Sequence, residues 1–142
     1  MNNMKLHETY ISLEVAKLLK KAGFDWEIDS IYQVYPEKPV RFEVVRELQF
    51  NWNIHSNVIS APTLAVAQKW LREVKGINIQ IQSCFDSVNC QYNVVIGYDY
   101  FIHRIDGKMT ILPSDIHYQS YEESLEAGIK KCLEIFLQEE QS

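Results

Sequence analysis

Residues 60–82, SAPTLAVAQKWLREVKGINIQIQ, contain a complete helix followed directly by a strand. Thr63 or Ser60 can act as the N-cap of this helix, and Pro62 is tolerated because it lies at the very start. Apolar residues then recur at helical spacing, and Gly76 supplies the left-handed stop. The segment therefore predicts an amphipathic helix that buries one of its faces.

The strand that follows alternates strictly between isoleucine and uncharged polar residues. Isoleucines occupy positions 77, 79 and 81, and Asn78, Gln80 and Gln82 stand between and after them. Because successive side chains of a strand point to opposite faces, this pattern predicts one buried face and one polar face. A half-exposed antiparallel sheet, with helices covering its other face, follows from that pattern.

Two further amphipathic helices are predicted, one near each end of the chain. Residues 11–24, ISLEVAKLLKKAGF, begin at the N-cap candidate Ser12 and end at Gly23. The last helix begins at SYEE, where Ser120 and Glu123 have the spacing of a capping box.

The remaining strands are indicated by alternation and by turn residues. Residues 31–35 and 40–45 flank the turn PEKP and predict a hairpin, whereas residues 50–59, FNWNIHSNVI, predict a loop. Residues 91–105 predict a long strand in which Gly97 marks a bulge or the close approach of another backbone. Asp106 and Gly107 predict a tight turn into the partner strand KMTIL.

The fold class that these elements predict is α+β, in the order α-β-β-α-β-β-β-α. Three amphipathic helices are expected on one face of an antiparallel sheet. At 142 residues, the chain is expected to form a single globular domain over residues 1–142.

Composition and charge disfavour two classes of partner. The formal net charge of -5 argues against nucleic acid, and Lys69, Arg72 and Lys75 are expected to form an ordinary solvated helix face. No segment has the pattern of a signal peptide or the run of about 18 apolar residues that a membrane-spanning helix needs. We therefore expect a cytoplasmic protein with reduced cysteines and no membrane partner.

The cysteines carry no local signature of a cofactor site. Cys84 and Cys90 bracket a connection and could face each other across a hairpin, but no second pair of ligands lies near them in sequence. Cys132 lies on the apolar stripe of the last helix and is expected in the core. No metal, cofactor or catalytic residue is therefore assigned.

The histidines leave an enzyme hypothesis open as an alternative. His103 lies three residues before Asp106, and His117 follows Asp115 at the spacing that places two side chains on one face of a strand. A small enzyme would require a pocket in which His103, His117 or Cys84 converges with a carboxylate.

Aromatic and polar residues on strands and on the Asn-rich loop predict a contact surface instead, since aromatic rings with polar tips suit interfaces. The alternative is that these aromatic rings fill the core. The candidate contact residues are Tyr35, Trp52, Asn78, Gln80, Gln82 and Tyr98.

Three segments carry a resemblance to known proteins: YISLEVAKLLKKAGF, SAPTLAVAQKWLREVKGINIQI and SYEESLEAGIKKCLEIF, in that order. Together they resemble a group of small proteins carried by phages and mobile elements of gut bacteria, whose members have no established activity. The last helix is also similar to the YEEAL-type helix of HicB-like antitoxins, although the preceding strands depart from that pattern. The resemblance implies a type of origin and no catalytic residue.

The function expected from the sequence is non-catalytic. The chain is expected to bind a protein partner, or its own copy, as an accessory protein of phage or mobile-element origin. A HicB-like antitoxin or nucleic-acid-associated regulator, and a small enzyme, are the alternatives.

Overall fold

The computed structural model describes residues 9–46, 48–86, 91–112 and 117–141, which form three helices and six strands. The helices are α1 (Leu13–Lys21), α2 (Leu64–Lys75) and α3 (Tyr121–Glu140). The strands are β1 (Ser30–Gln33), β2 (Arg41–Val44), β3 (Val58–Ser60), β4 (Ile77–Asp86), β5 (Gln91–Arg104) and β6 (Thr110–Ile111). The predicted α+β class is confirmed, and the element order agrees except for β3.

The strands form two antiparallel sheets where the sequence indicated one. The first sheet has the order β2-β1-β3, and the second has the order β4-β5-β6. The extra strand β3 begins within residues 50–59, the segment predicted as a loop, after a 3-10 turn at Trp52–Ile54. Its three residues pair with β1 more than 20 positions away, for example Ser60 with Ile31, so the pairing leaves no local pattern in the sequence.

The helix ends follow the local chemistry of the sequence. Ser12, Thr63 and Ser120 are the N-caps, and each hydroxyl accepts a hydrogen bond from the backbone N–H three residues on, at 3.3, 3.2 and 3.1 Å. Thr63, not Ser60, therefore caps α2. Gly76 ends α2 with a φ of 66°, a left-handed conformation that glycine adopts without strain.

The core joins the helices to both sheets. Trp70 of α2 is fully buried, and its ring meets that of Phe24 at 5.5 Å in an edge-on arrangement. Ile59 of β3 and Ile77 of β4 belong to the same cluster of buried apolar side chains. Cys132 is also fully buried in this cluster, which confirms its predicted place in the core.

Helix α3 contacts the second sheet closely at Gly128, where a side chain would be crowded. A Cβ atom placed on Gly128 would lie 3.1 Å from Cγ2 of Ile79 and 3.2 Å from Cβ of Tyr100. Both neighbours belong to the paired strands β4 and β5, so they cannot move apart independently. The face of these strands that carries Ile79 and Tyr100 is therefore the face that α3 covers.

Replacement of Gly128 by valine tests this contact. We expect G128V to lower the free energy of unfolding by about 1–3 kcal/mol, because the added methyl groups overpack the helix–sheet contact. The matched control is K131V at an exposed position of the same helix, which should change stability by less than about 0.5 kcal/mol. Equal denaturant midpoints for the two variants would contradict this account of the contact.

Candidate metal site

The face of β4 and β5 that points away from α3 carries the polar row predicted from the sequence. Asn78 pairs with His103, Gln80 with Phe101 and Gln82 with Asp99. Directly opposed residues share a face of an antiparallel pair, so these side chains lie together. We call this surface the outer face of the second sheet.

Three side chains with metal-binding groups meet where the polar row ends. Cys84 is the next residue of β4 on the outer face, Asp99 lies on β5, and His117 lies shortly before α3. One sulfur, one carboxylate oxygen and one ring nitrogen from these residues all lie within 4.8 Å of one another. We call this group the Cys84–Asp99–His117 cluster.

Gly97 allows the histidine to reach the cluster. The backbones of Tyr98 and Tyr118 exchange two hydrogen bonds of 2.8 Å, which hold residue 117 against β5. A Cβ atom on Gly97 would lie only 2.7 Å from Cβ of His117 and 3.1 Å from the carbonyl oxygen of Tyr118. The close approach of another backbone that the sequence predicts at Gly97 is therefore confirmed.

Asp99 is the buried member of the cluster, and one of its carboxylate oxygens has no hydrogen-bond partner among the described residues. Its exposed fraction is 1%, although it lies on the outer face of the sheet. Oδ1 accepts a hydrogen bond of 2.9 Å from the backbone N–H of Tyr100, but Oδ2 accepts none from the described residues. A buried carboxylate oxygen without a partner is costly, so this oxygen calls for a hydrogen-bond donor or a cation beside it.

The surroundings of Cys84 raise the pKa of its thiol. Burial raises its pKa above the ordinary value, and the negative charge of Asp99 raises the pKa further. The second free thiol among the described residues, Cys132, lies in the core, where burial raises its pKa to about 12. Both shifts disfavour a reactive thiolate, but Cys84 differs because it is only half-buried and lies beside two other potential ligands.

The donor set fits zinc or a similar transition metal. Thiolate, imidazole and carboxylate are the ligands that Zn²⁺ takes, whereas Mg²⁺ and Ca²⁺ prefer oxygen alone. Metal–ligand distances of about 2.0–2.3 Å in tetrahedral geometry place ligand atoms about 3.5 Å apart. The three ligand atoms of the cluster lie up to 4.8 Å apart, so they would move closer together on binding an ion.

The structure separates the two histidines that the enzyme hypothesis considered together. His117 joins Cys84 and a carboxylate, which comes from Asp99. His103 lies farther along β5, opposite Asn78, and its Nδ1 is 3.5 Å from the hydroxyl of Thr110. The proposed facing of Cys84 by Cys90, and the pairing of His117 with Asp115, involve residues outside those that the structure describes.

The six predicted contact residues occupy different parts of the surface. Asn78, Gln80 and Gln82 lie on the outer face, and Gln82 is directly opposite Asp99. Tyr98 lies on the other face, half-buried, with its ring against that of Tyr121 in α3. The contact role of these three polar residues and of Tyr98 stays a prediction.

The two other predicted contact residues flank the first sheet. Tyr35 is 41% exposed, after the end of β1, with the amine of Lys38 over its ring at 5.7 Å. Trp52 is half-buried, and its indole N–H donates a hydrogen bond of 2.7 Å to the carbonyl of Ile28. Trp52 therefore contributes to packing, as the core-filling alternative proposes, and its contact role also stays a prediction.

Two basic side chains of the helices have local partners, and one of them, Lys75, belongs to the helix face expected to be solvated. Lys75 lies over the rings of Trp70 and Phe136 at 5.4 and 4.4 Å. The amine of Lys20 donates hydrogen bonds to the carbonyls of His55 and Val58. These two side chains help to hold the fold together.

Sequence reasoning missed Asp99. An acidic residue in an alternating strand is usually solvated, and nothing local distinguishes this aspartate. The usable signal was indirect: Gly97, two residues earlier on the same face, already indicated that another backbone approaches there.

Comparisons add no relative from which a function could be taken. No protein-family model, no curated protein and no solved structure matches the chain. Among the helices of the described residues, none combines the length and the hydrophobicity that crossing a bilayer requires.

Proposed function

We propose that the chain binds a divalent transition-metal ion, with Zn²⁺ the best fit, at the Cys84–Asp99–His117 cluster. The observation that carries the proposal is the convergence of three ligand atoms around a buried carboxylate oxygen that lacks a hydrogen-bond partner. This proposal departs from the expectation, drawn from the sequence, that the chain has no metal site.

Charge balance supports a divalent ion. A thiolate from Cys84 and the carboxylate of Asp99 would together carry two negative charges, which one divalent cation neutralises. The ion would also satisfy Oδ2 of Asp99 and would convert the protonated Cys84 thiol to its thiolate.

The role that we propose for the ion is structural rather than catalytic. The three ligands come from β4, from β5 and from the segment that leads into α3. An ion bound to all three would fasten the β4–β5 hairpin to the start of α3. Because such a site forms in the folded chain, binding would stabilise the fold, by about 2.7 kcal/mol at a free-ion concentration of 100 times the dissociation constant.

The same three groups also occur together in cysteine-dependent enzymes. A small enzyme is therefore the second function that the cluster could support. A nucleophilic cysteine is activated by a lowered pKa or by an adjacent base such as histidine. At Cys84 burial and Asp99 both raise the pKa instead. The raised pKa of Cys84, together with the unsatisfied Oδ2 of Asp99 that a metal ion would bind, favours a metal ligand, and our proposal keeps the non-catalytic function expected from the sequence.

Two exposed histidines, His117 at the cluster and His103 on β5, provide a matched test of metal binding. We expect metal-free protein titrated with Zn²⁺ in a calorimeter to bind a single ion per chain. H117A and C84S should weaken binding at least about tenfold, because loss of a ligand should exceed the loss seen when a supporting partner is removed. H103A should bind as the unchanged protein does.

Cobalt distinguishes cluster binding from adventitious binding in the same samples. Co²⁺ bound at the cluster should give a thiolate-to-cobalt charge-transfer band that C84S lacks. Equal weakening by H103A and H117A, or a cobalt spectrum that C84S leaves unchanged, would rule out the proposed ligand set.

Metal affinity should also depend on pH through Cys84. The pKa of its thiol is raised, so the thiol carries a proton at neutral pH, and metal binding must displace that proton. We therefore expect affinity to rise with pH by up to about tenfold per unit until the pH passes the thiol pKa. Calorimetry at pH 7.5 in buffers of different ionisation enthalpy measures the proton released, and C84S should release about one proton fewer.

Gly97 offers a test that leaves all three ligands in place. In G97A the new methyl group would collide with His117 and with the backbone of Tyr118, so we expect Zn²⁺ affinity to fall at least about tenfold. S83A, an exposed position on the other face of β4, is the control and should leave affinity unchanged. If G97A folded and bound Zn²⁺ normally, His117 would not be a ligand in the geometry described.

A further inference from the structure

The exposed edge of the first sheet has a self-complementary sequence. Strand β2 lies at the edge of the order β2-β1-β3. Residues 40–44 read Val-Arg-Phe-Glu-Val, with one apolar residue at the centre, opposite charges on either side and valines at both ends. Val40, Phe42 and Val44 are 48%, 42% and 38% exposed.

The backbone N–H and C=O groups that face away from β1 at this edge belong to the apolar residues. The backbone N–H of Val45 donates to the carbonyl of Asp29 at 2.6 Å, which makes these two a hydrogen-bonded pair of the β1–β2 ladder. Such pairs alternate along an antiparallel ladder, so residues 41 and 43 also point toward β1. The N–H and C=O groups of Val40, Phe42 and Val44 therefore point away from β1.

We propose that β2 pairs with β2 of a second copy of this chain, antiparallel and centred on Phe42. Each Phe42 would exchange two hydrogen bonds with its counterpart, and each Val40 would do so with Val44 of the other copy. This gives about six hydrogen bonds between the copies. The two first sheets would join into one continuous sheet.

Charge makes this register the favoured one. Centred on Phe42, each Arg41 faces Glu43 of the other copy on a shared face of the sheet. A shift of the centre by one residue toward either end would place Glu43 against Glu43, or Arg41 against Arg41, and like charges directly opposite each other are destabilising. The sequence thus selects one pairing of the edge with itself.

The apolar face of the edge extends beyond β2. The Phe42 ring lies 4.8 Å from that of Tyr10 and 5.4 Å from that of Tyr32. Pairing would bring Val40, Phe42 and Val44 of the two copies side by side and remove part of their surface from water. Because a single strand from each copy buries little area, the dimer should be weak and its formation should depend on concentration.

Charge reversal provides a test in which each variant should fold, because both positions are exposed. We expect sedimentation of the unchanged protein to show a monomer–dimer equilibrium, and R41E and E43R each to weaken dimerisation at least about tenfold, through like charges at the pairing. An equimolar mixture of R41E and E43R should dimerise again, because two acidic side chains then face two basic ones.

The experiment is run with a chelator present, so that its outcome does not depend on the metal site. A protein that stays monomeric at every concentration reached would overturn the proposal. Dimers that R41E and E43R leave unchanged would also overturn it and would place the contact elsewhere, for example at the exposed Phe85 and Val94 of the other sheet.

Discussion

The antiparallel pairing of β4 with β5 is the constraint on which most of this structure depends. Residues 77–84 of β4 pair with β5 in one unbroken register, and strand alternation then assigns their side chains to one of two faces. One face packs against α3 through Ile79, Tyr100 and the bare backbone of Gly128. The other face brings Cys84 and Asp99 together, so the same ladder builds both the core and the candidate site.

Two glycines permit close approach on opposite sides of this ladder. Gly128 lets α3 lie against the inner face, and Gly97 lets residues 117 and 118 approach the edge of β5 closely, with His117 at the outer face. The segment that leads into α3 therefore meets the sheet at Tyr118, while the helix itself returns over the inner face. A metal ion at the Cys84–Asp99–His117 cluster would strengthen the contact between β5 and the segment that leads into α3. We therefore propose a structural role for the ion.

Local chemistry made much of the fold predictable. The caps Ser12, Thr63 and Ser120 act within three residues, and the alternating isoleucines of β4 report burial directly. Strand β3 was not predictable in this way, because its pairing with β1 is held by partners distant in sequence. The division into two sheets was missed for the same reason.

The candidate site was only partly predictable. Cys84 and His117 stand out in the sequence because their side chains can bind metals or act in catalysis, but nothing in the sequence identifies their shared partner Asp99. Its burial results from three chain segments that meet in space, and no spacing in the sequence encodes that meeting. The polar row of Asn78, Gln80 and Gln82 pointed to the correct face of the sheet, since Cys84 is the next residue of β4 on that face.

X-ray absorption at the zinc edge tests the metal site most directly. Protein loaded with one equivalent of Zn²⁺ should show one sulfur neighbour at about 2.3 Å together with nitrogen or oxygen neighbours at about 2.0–2.2 Å. The sulfur neighbour should disappear in C84S. A spectrum of the unchanged protein with nitrogen and oxygen neighbours alone would contradict a site built on Cys84, Asp99 and His117.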